Sequence, residues 1–375
     1  MIPVSIPYIA KNQKSYVNDC LDRNWISAFG KYDKSLCSSF ANYIGSNYAS
    51  TCSNGTVAIH LALLAAEIKP GDEVILPNFN SPYALFAIGY VKAIPVLIDI
   101  NEDWDIDIDV LENAVSPLTK AIIIPHLYGV PSKIKPLKDF LINKKIVIIE
   151  DCAEAHGAME DNDKVGSIGD IGCFSFYSNK IIASGEGGIC TTSSEEIFNR
   201  INYYKNQTFN NGPIKTFIHN DIGYNYRMSD LHCAIAFSHL EEIDYILEKR
   251  WEILNKYKYF LDDYLDAFQI QKKSVQTVNW ITTFELNNSK LNFRDDLVKF
   301  LINKNIEVRQ FFAPMNNQPI FINMGGRISG SLRVSELVAS SGLYLPTFIG
   351  MEKKQIQEVS DKIKLFFENN NYKYK

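Results

Sequence analysis

A single lysine, Lys180, separates an apolar, β-prone run from a cluster of small residues and glycines. The surrounding stretch, residues 173–193, reads CFSFYSNKIIASGEGGICTTS. A lysine held at the end of a buried strand can form a Schiff base with a carbonyl group. A loop lysine that reaches into water would have the same local sequence, so this stretch alone leaves both interpretations open.

A carboxylate at the end of another apolar run is the second candidate for chemistry. Glu150 and Asp151 follow the strand-like residues of VIIEDCAEAHG, where a carboxylate is costly unless it is paired. Asp151 could keep a pyridinium nitrogen protonated and so turn the ring into an electron sink. A buried salt bridge or a helix cap would explain the same residue.

Residues 53–56, Ser-Asn-Gly-Thr, immediately precede an Ala-rich helical pattern. Glycine lets a backbone approach a ligand closely, and the free N–H groups and dipole of a helix N-terminus favour an anion. A plain Ser or Asn N-cap is the alternative. Further along, Asn225 and Arg227 lie on a loop before another helix and could serve a phosphate or a carboxylate, although Ser229 or Asp230 could simply cap that helix.

Together these features form a set. Pyridoxal phosphate presents a phosphate, a ring nitrogen and an aldehyde, which need an anion site, a carboxylate and a lysine. The combination is much less expected by chance than any one part, and it favours a site for this cofactor.

Short apolar runs must position these residues, and each run ends in polar or turn residues. Because their apolarity is continuous rather than alternating, they predict strands covered on both faces and a largely parallel α/β sheet. Ligands of such sheets bind beyond the carboxyl ends of the strands. The runs are residues 73–78, 94–100, 120–129, 145–157, 171–177 and 187–193.

The helical patterns predict two domains. Residues 54–73 give the clearest helix, which ends at Pro70-Gly71, and residues 229–265 read as one long or broken helix that leads out of the sheet domain. We predict a large α/β domain, residues 1–250, with the N-terminal segment. A smaller C-terminal α+β domain, residues 251–375, would contain two amphipathic helices.

Composition excludes several classes of protein. The chain has 375 residues, 46% apolar and 22% charged, with a net charge of −5 and no basic stripe that would indicate a nucleic-acid partner. Its 7 cysteines are scattered without CxxC pairs, which argues against a disulfide framework or a zinc site. The N-terminus does not read as a signal peptide and no apolar run could span a membrane. We therefore expect a soluble cytoplasmic protein.

Several distinctive motifs occur in a familiar order along nearly the whole chain. They are NWISAFGKY (24–32), SNGTVAIHLAL, GDEVILP, HLYG, EDCAEAHG, GDIGCFSFYSNK, SGEGG, GYNYRMSDL and RQFFAPMNNQP (309–319). In these motifs the chain resembles the DegT/DnrJ/EryC1/StrS family of pyridoxal-phosphate-dependent nucleotide-sugar aminotransferases, and most closely the GDP-perosamine synthases within it. The resemblance implies the aspartate aminotransferase-like architecture called fold type I.

The resemblance also implies roles at the cofactor. Lys180 would form the Schiff base, be displaced by the amino donor and shuttle protons, with pyridoxamine phosphate as the alternate cofactor form. Asp151 would pair with the pyridine nitrogen, and Glu154 would lie near the phenolic oxygen.

Phosphate contacts are implied for Gly55, Thr56 and Ser175. Asn225 would reach the phosphate from the neighbouring subunit, which would make a homodimer part of the active site. The positions at which the family contacts or approaches the nucleotide sugar are Trp25, Ser27, His126, Glu186, Arg227 and the 309–319 stretch, including Phe311. For His126, a core histidine satisfied by backbone groups is a serious competing interpretation.

The chain departs from the family pattern in three places. Relatives have an aromatic residue stacked on the pyridine ring where this chain has Ser81, so Tyr83 or Phe79 would supply the ring, or that wall is built otherwise. Ala28-Phe29 replaces a common Ser-Arg, and Asn316 stands where a His is common. The last two departures lie toward the nucleotide sugar and weaken the assignment of its nucleotide.

The implied reaction moves the amino group of L-glutamate to C4 of a nucleotide-linked 4-keto-6-deoxy hexose, on a path to a surface polysaccharide such as an O-antigen. A GDP-perosamine product and a viosamine-type product on dTDP or UDP both remain open, and a 3-aminotransferase is a further alternative. A 3-dehydratase of the same fold carries histidine at the lysine position, so Lys180 argues against it. A non-catalytic relative would lack Lys180 or Asp151, and a cofactor-free Schiff-base aldolase would not need the phosphate and pyridine partners.

Overall fold

The computed structural model describes residues 1–209, 216–268, 270, 272–286 and 292–371. In these ranges helices α1 to α13 span Gln13–Asp22, Lys31–Ile44, Gly55–Ala65, Tyr83–Tyr90, Ile108–Ala114, Lys135–Asn143, Glu195–Lys205, Asp230–Glu241, Ile243–Phe260, Phe293–Asn303, Pro319–Asn323, Arg333–Ser341 and Lys353–Asn369. Strands β1 to β14 span Tyr48–Cys52, Glu73–Pro77, Ile94–Ile98, Thr119–Pro125, Val147–Asp151, Met159–Glu160, Asp163–Lys164, Ile171–Ser175, Gly188–Thr192, Val275–Gln276, Thr282–Glu285, Arg309–Gln310, Arg327–Ile328 and Gly342–Leu345. Short 3₁₀ helices lie at Leu127–Gly129, Asp262–Ala267 and Met315–Asn317.

A large sheet with strand order β1-β9-β8-β5-β4-β2-β3-β13 forms the centre of the molecule. The strands from β8 to β13 in this order pair in parallel, and β9 is antiparallel to both of its neighbours. Each of the six predicted runs contains a strand, so the predicted mostly parallel α/β sheet is confirmed. The pattern missed β1, because its sequence YASTC lacks an apolar run.

Both faces of the large sheet are covered by helices. Ile122 and Ile124 of β4 pack into one core together with residues of α2, α5, α6 and α8. Ile123, between them, packs into the other core with residues of α3 and α4. This alternation explains the continuous apolarity of the strand, since side chains on either face of it are buried.

The C-terminal part has its own antiparallel sheet, β11-β14-β12, and a separate apolar core. Helix α9 joins the two parts, since Ile246 belongs to the core of the large sheet and Tyr257 to the C-terminal core. The predicted boundary at residue 250 falls inside this helix and stays a prediction. Strand β13 returns to the large sheet by pairing with β3.

The long helical pattern over 229–265 is broken at Glu242, between α8 and α9. Both amphipathic stretches of the C-terminal part form helices, α10 and α13. No helix in the described ranges combines the length and the apolarity that crossing a bilayer requires.

Candidate active site

A cavity of about 640 Å³ opens at the carboxyl ends of the parallel strands. Asp151 is the last residue of β5, Ser175 is the last residue of β8, and Lys180 follows in the next loop. All three line the cavity. The sheet thus brings the predicted carboxylate and the predicted lysine to one site, because neighbouring parallel strands end at the same edge.

The Lys180 side chain is only 11% exposed, and its ammonium group has two close neighbours. Nζ lies 3.4 Å from Oε1 of Glu154 and 4.1 Å from the centroid of the Trp280 ring. The other oxygen of Glu154, Oε2, accepts a hydrogen bond of 2.9 Å from the backbone N–H of Tyr128. Burial raises the pKa of Glu154, and the charge of Lys180 and this N–H oppose that effect.

Asp151 is buried with few partners. Oδ1 accepts a hydrogen bond of 3.1 Å from the N–H of Ala153. Burial raises the pKa of the Asp151 carboxyl, against the smaller opposing effects of that N–H and of the Lys180 charge. A cation placed at this carboxylate would therefore relieve a desolvation cost, as a protonated ring nitrogen would.

Helix α3 begins at the cavity wall and leaves unused donors there. The side chain of Asn54 caps the helix by accepting from the N–H of Val57 at 2.9 Å, as the capping interpretation of this motif predicted. Among the described residues, no hydrogen bond uses the N–H groups of Gly55 or Thr56. A Cβ atom on residue 55 would lie 2.7 Å from the Cβ of Ser175, so glycine is required for the helix end to approach the Ser175 hydroxyl. These groups have the donors and the close approach that a phosphate cradle needs.

The wall next to Ser81 differs from the expected one. Phe79 is 1% exposed and packs on Trp104 in the core, away from the cavity. Ser81 and Tyr83 both line the cavity, and Tyr83 is the first residue of α4. Of the two aromatic candidates, Tyr83 is therefore the one that the structure places at the site.

His126 lines the cavity, but both of its ring nitrogens are engaged. Nε2 lies 3.1 Å from Oε2 of Glu150, and Nδ1 accepts from the N–H of Ser132 at 3.1 Å. Accepting at Nδ1 requires a proton on Nε2, which it donates to Glu150. The contacts favour the competing interpretation of a structural histidine.

His126, Glu150 and Cys152 form the one cluster with metal-ligand side chains close together in the described ranges. Glu150 already accepts hydrogen bonds from the backbone N–H groups of Gly166, Ile168 and Gly169, at 2.7, 2.8 and 2.6 Å. Its lone pairs are directed at protein donors, so this cluster stabilises the loop after β7 and offers no metal site.

The predicted substrate residues are dispersed. Glu186 lines the cavity. Tyr83 and His126 line it too, whereas four other predicted substrate residues lie outside its wall: Trp25, Ser27, Arg227 and Phe311. The predicted phosphate contact Asn225 also lies outside the wall. Phe311 is buried against Tyr128, with ring centroids 4.6 Å apart, and its neighbour Phe312 lines the cavity instead. Arg227 donates to Oδ1 of Asn225 at 2.6 Å from Nη2.

Sequence reasoning missed a group of residues that complete the wall. They are Phe86, Tyr90, Tyr177, Asn179, Tyr226, Trp280 and Tyr344. Tyr177 and Asn179 flank Lys180 within its own motif and could have been found there. Trp280 and Tyr344 come from the C-terminal part, where no spacing of polar residues indicated a site.

The sequence profile of the DegT/DnrJ/EryC1/StrS aminotransferase family matches residues 7–364. The chain is 35% identical to the GDP-perosamine synthase of Vibrio cholerae over 98% of this chain and 99% of that protein. It is 34% identical to the GDP-perosamine synthase of Escherichia coli O157:H7 over 98% of each. The crystal structure of the aminotransferase TlmJ from Streptoalloteichus hindustanus superimposes with a TM-score of 0.90 at 21% identity, covering 99% of this chain and 100% of that one.

The chain belongs to the DegT/DnrJ/EryC1/StrS aminotransferase family. Aminotransferases of this family depend on pyridoxal phosphate, so the predicted enzyme class, cofactor and fold type I architecture are confirmed. The residues present fit that cofactor: Asp151 would pair with the ring nitrogen, Lys180 would meet the aldehyde, and the unused N–H groups at the start of α3 would bind the phosphate.

Proposed function

We propose that the enzyme transfers the amino group of L-glutamate to C4 of a GDP-linked 4-keto-6-deoxy hexose, with GDP-perosamine as the product. The observation that carries this proposal is the convergence of Lys180, Asp151 and the phosphate cradle on one cavity. The choice of sugar and nucleotide is supported by full-length similarity to two proteins named GDP-perosamine synthase.

When bound, pyridoxal phosphate supplies an aldehyde for Schiff-base formation and a ring that stabilises negative charge on the substrate carbon. Asp151 holds the proton on the ring nitrogen. Nζ of Lys180 takes the α-proton of glutamate as a general base and returns a proton as a general acid. The N–H groups of Gly55 and Thr56 and the Ser175 hydroxyl would hold the phosphate, and so keep the cofactor within reach of Lys180.

The second substrate, the nucleotide sugar, carries a negatively charged diphosphate that a cationic side chain would bind. Among the described residues that line the cavity, Lys180 and Arg309 are the only lysine and arginine. Arg309 belongs to β12, and its Nη2 lies 3.2 Å from Oε1 of Glu307. It falls in the 309–319 stretch, for which the family resemblance implies a position near the nucleotide sugar. We assign Arg309 to the diphosphate of the nucleotide sugar.

We assign two of the remaining predicted contacts, Asn225 and Trp25, to the active site of a second copy of the chain. Asn225 is exposed and outside the cavity of its own chain, and Trp25 is 47% exposed. A homodimer in which these residues complete the neighbouring site would use both. Light scattering tests the assembly, and cofactor affinity of N225A tests the contribution of Asn225 across the interface.

We place the reaction in the cytoplasm, on a path to a surface polysaccharide. All 7 cysteines are free thiols, as expected in a reducing compartment. Cell fractionation tests this location.

The deciding experiment uses the enzyme in its pyridoxamine form and adds GDP-, dTDP- and UDP-linked 4-keto-6-deoxy hexoses separately. Return of the visible absorbance of the lysine-bound cofactor with the GDP sugar alone, and the mass of a 4-amino product, would support the proposal. A response to a dTDP or UDP sugar instead would replace the nucleotide. No response to any 4-keto sugar, followed by a response to a 3-keto sugar, would make the enzyme a 3-aminotransferase.

A further inference from the structure

We propose that Trp280 is a positioning residue for Lys180: its ring face holds the ammonium group, and its indole N–H fixes the backbone just before the lysine. This inference rests on the proposed role of Lys180 as the proton-transferring group.

Two contacts join Trp280 to the lysine segment. Its ring centroid lies 4.1 Å from Nζ of Lys180, within the range of a cation–π interaction. Its Nε1–H donates a hydrogen bond of 2.8 Å to the backbone carbonyl of Asn179. One side chain thus contacts both the reactive atom and the chain immediately before it.

Trp280 is itself held firmly. It is 2% exposed, and its ring stacks near that of Tyr128, with centroids 6.1 Å apart and an interplanar angle of 14°. The guanidinium of the buried Arg250 donates to the backbone carbonyl of Trp280. A ring fixed in this way can define the place of a flexible lysine, whose free side chain would otherwise sample many rotamers.

The chemical consequence concerns the proton-carrying form of Lys180. After the amino donor displaces it, Lys180 must accept a proton and keep it within reach of the substrate carbon. The face of an indole ring attracts an ammonium group and not a neutral amine, and the Glu154 carboxylate 3.4 Å away acts in the same direction. Trp280 therefore stabilises the intermediate state of the proton transfer without touching the proton.

The test compares W280L, W280F and a matched control, W104L. Trp104 is also buried and packs on Tyr128, but it does not line the cavity. The holoenzyme reacts with L-glutamate in a single turnover, and the loss of visible absorbance gives the rate. The same reaction with α-deuterated glutamate gives the isotope effect. We expect W280L to slow this half-reaction about tenfold and to raise the isotope effect. W280F, which keeps a ring face, should lose about threefold, and W104L should leave the isotope effect unchanged.

A second measurement uses cofactor-free protein. The rate at which a small amine-reactive reagent modifies Lys180, read by mass spectrometry, should rise several-fold in W280L and stay unchanged in W104L. Wild-type rates and isotope effect in a folded W280L, or a loss confined to the KM for glutamate, would overturn the inference. If wild-type enzyme shows no half-reaction with glutamate, the proposed function fails, whereas the labelling result still decides whether Trp280 holds the lysine.

Discussion

The inner end of the cavity and its outer rim are built differently. At the inner end Asp151 and Glu154 are buried and Lys180 is almost so, and each has a described hydrogen bond or ion pair. At the rim Tyr83 is 52% exposed and Tyr177 49%. Strand ends and a buried loop fix the groups to which we assign the chemistry, whereas the residues that we assign to the sugar lie on exposed or C-terminal segments.

The largest expected effect comes from the inner end. K180A should retain cofactor through the phosphate cradle and Asp151 but lose turnover by about 10⁴-fold or more, because both proton transfer and Schiff-base formation use this amine. Steady-state transamination and the cofactor content of the purified protein measure the two properties. K120A, which removes an exposed lysine at the start of β4, is the control. Substantial transamination by K180A would contradict the assigned role.

D151N should cost about a hundredfold or more in turnover, since a neutral amide cannot hold the ring nitrogen protonated. The glutamate half-reaction measures this effect. D139N, at an exposed position of α6, is its control. A D151N enzyme with near wild-type rates would show that the ring does not need this carboxylate.

D151N, which should lose turnover, should gain stability in the absence of the cofactor. Burial raises the pKa of Asp151 in the folded, cofactor-free protein. In the pH window between the ordinary pKa of an aspartate and this raised pKa, the folded state therefore binds more protons than the unfolded state. Stability of the wild type then falls as pH rises through that window. Cofactor-free D151N should therefore melt at a higher temperature than wild type at neutral pH, with the difference closing in acid. A lower melting temperature of D151N at neutral pH would show that burial of the Asp151 carboxylate does not destabilise the cofactor-free protein.

The difference between the two regions also decides how much the sequence could predict. Asp151 and Lys180 follow apolar runs directly, and the rule that ligands bind at the carboxyl ends of parallel strands places them together. Two cavity residues from the C-terminal part, Trp280 and Tyr344, are far from these runs in the chain. Their approach depends on how the second core packs on the first, which no local pattern reports.

Phe311 and Phe312 show the same limit at the scale of one residue. Adjacent aromatic residues in an extended segment face opposite ways, so knowing that the 309–319 stretch reaches the site does not say which ring lines it. The structure buries Phe311 and places Phe312 in the wall.

At the rim, R309A should reduce kcat/KM for the nucleotide sugar about 10- to 100-fold, because it removes a charge-assisted hydrogen bond to phosphate. The glutamate half-reaction should change much less, because it does not involve a diphosphate. R333A, at an exposed arginine of α12, is the control. An equal loss in the glutamate half-reaction would instead assign Arg309 to a carboxylate of the amino donor.

The smallest expected effect on turnover belongs to His126, which lies at the cavity wall but uses both ring nitrogens in hydrogen bonds to Glu150 and Ser132. H126Q can still donate to Glu150 but leaves the N–H of Ser132 without its acceptor. It should lower the free energy of unfolding by about 1–3 kcal/mol and change kcat by about threefold at most. Urea unfolding of the cofactor-free protein and steady-state kinetics measure the two effects. If H126Q kept its stability and lost turnover, His126 would belong with Lys180 and Asp151, and the division between a chemical inner end and its structural support would have to be redrawn.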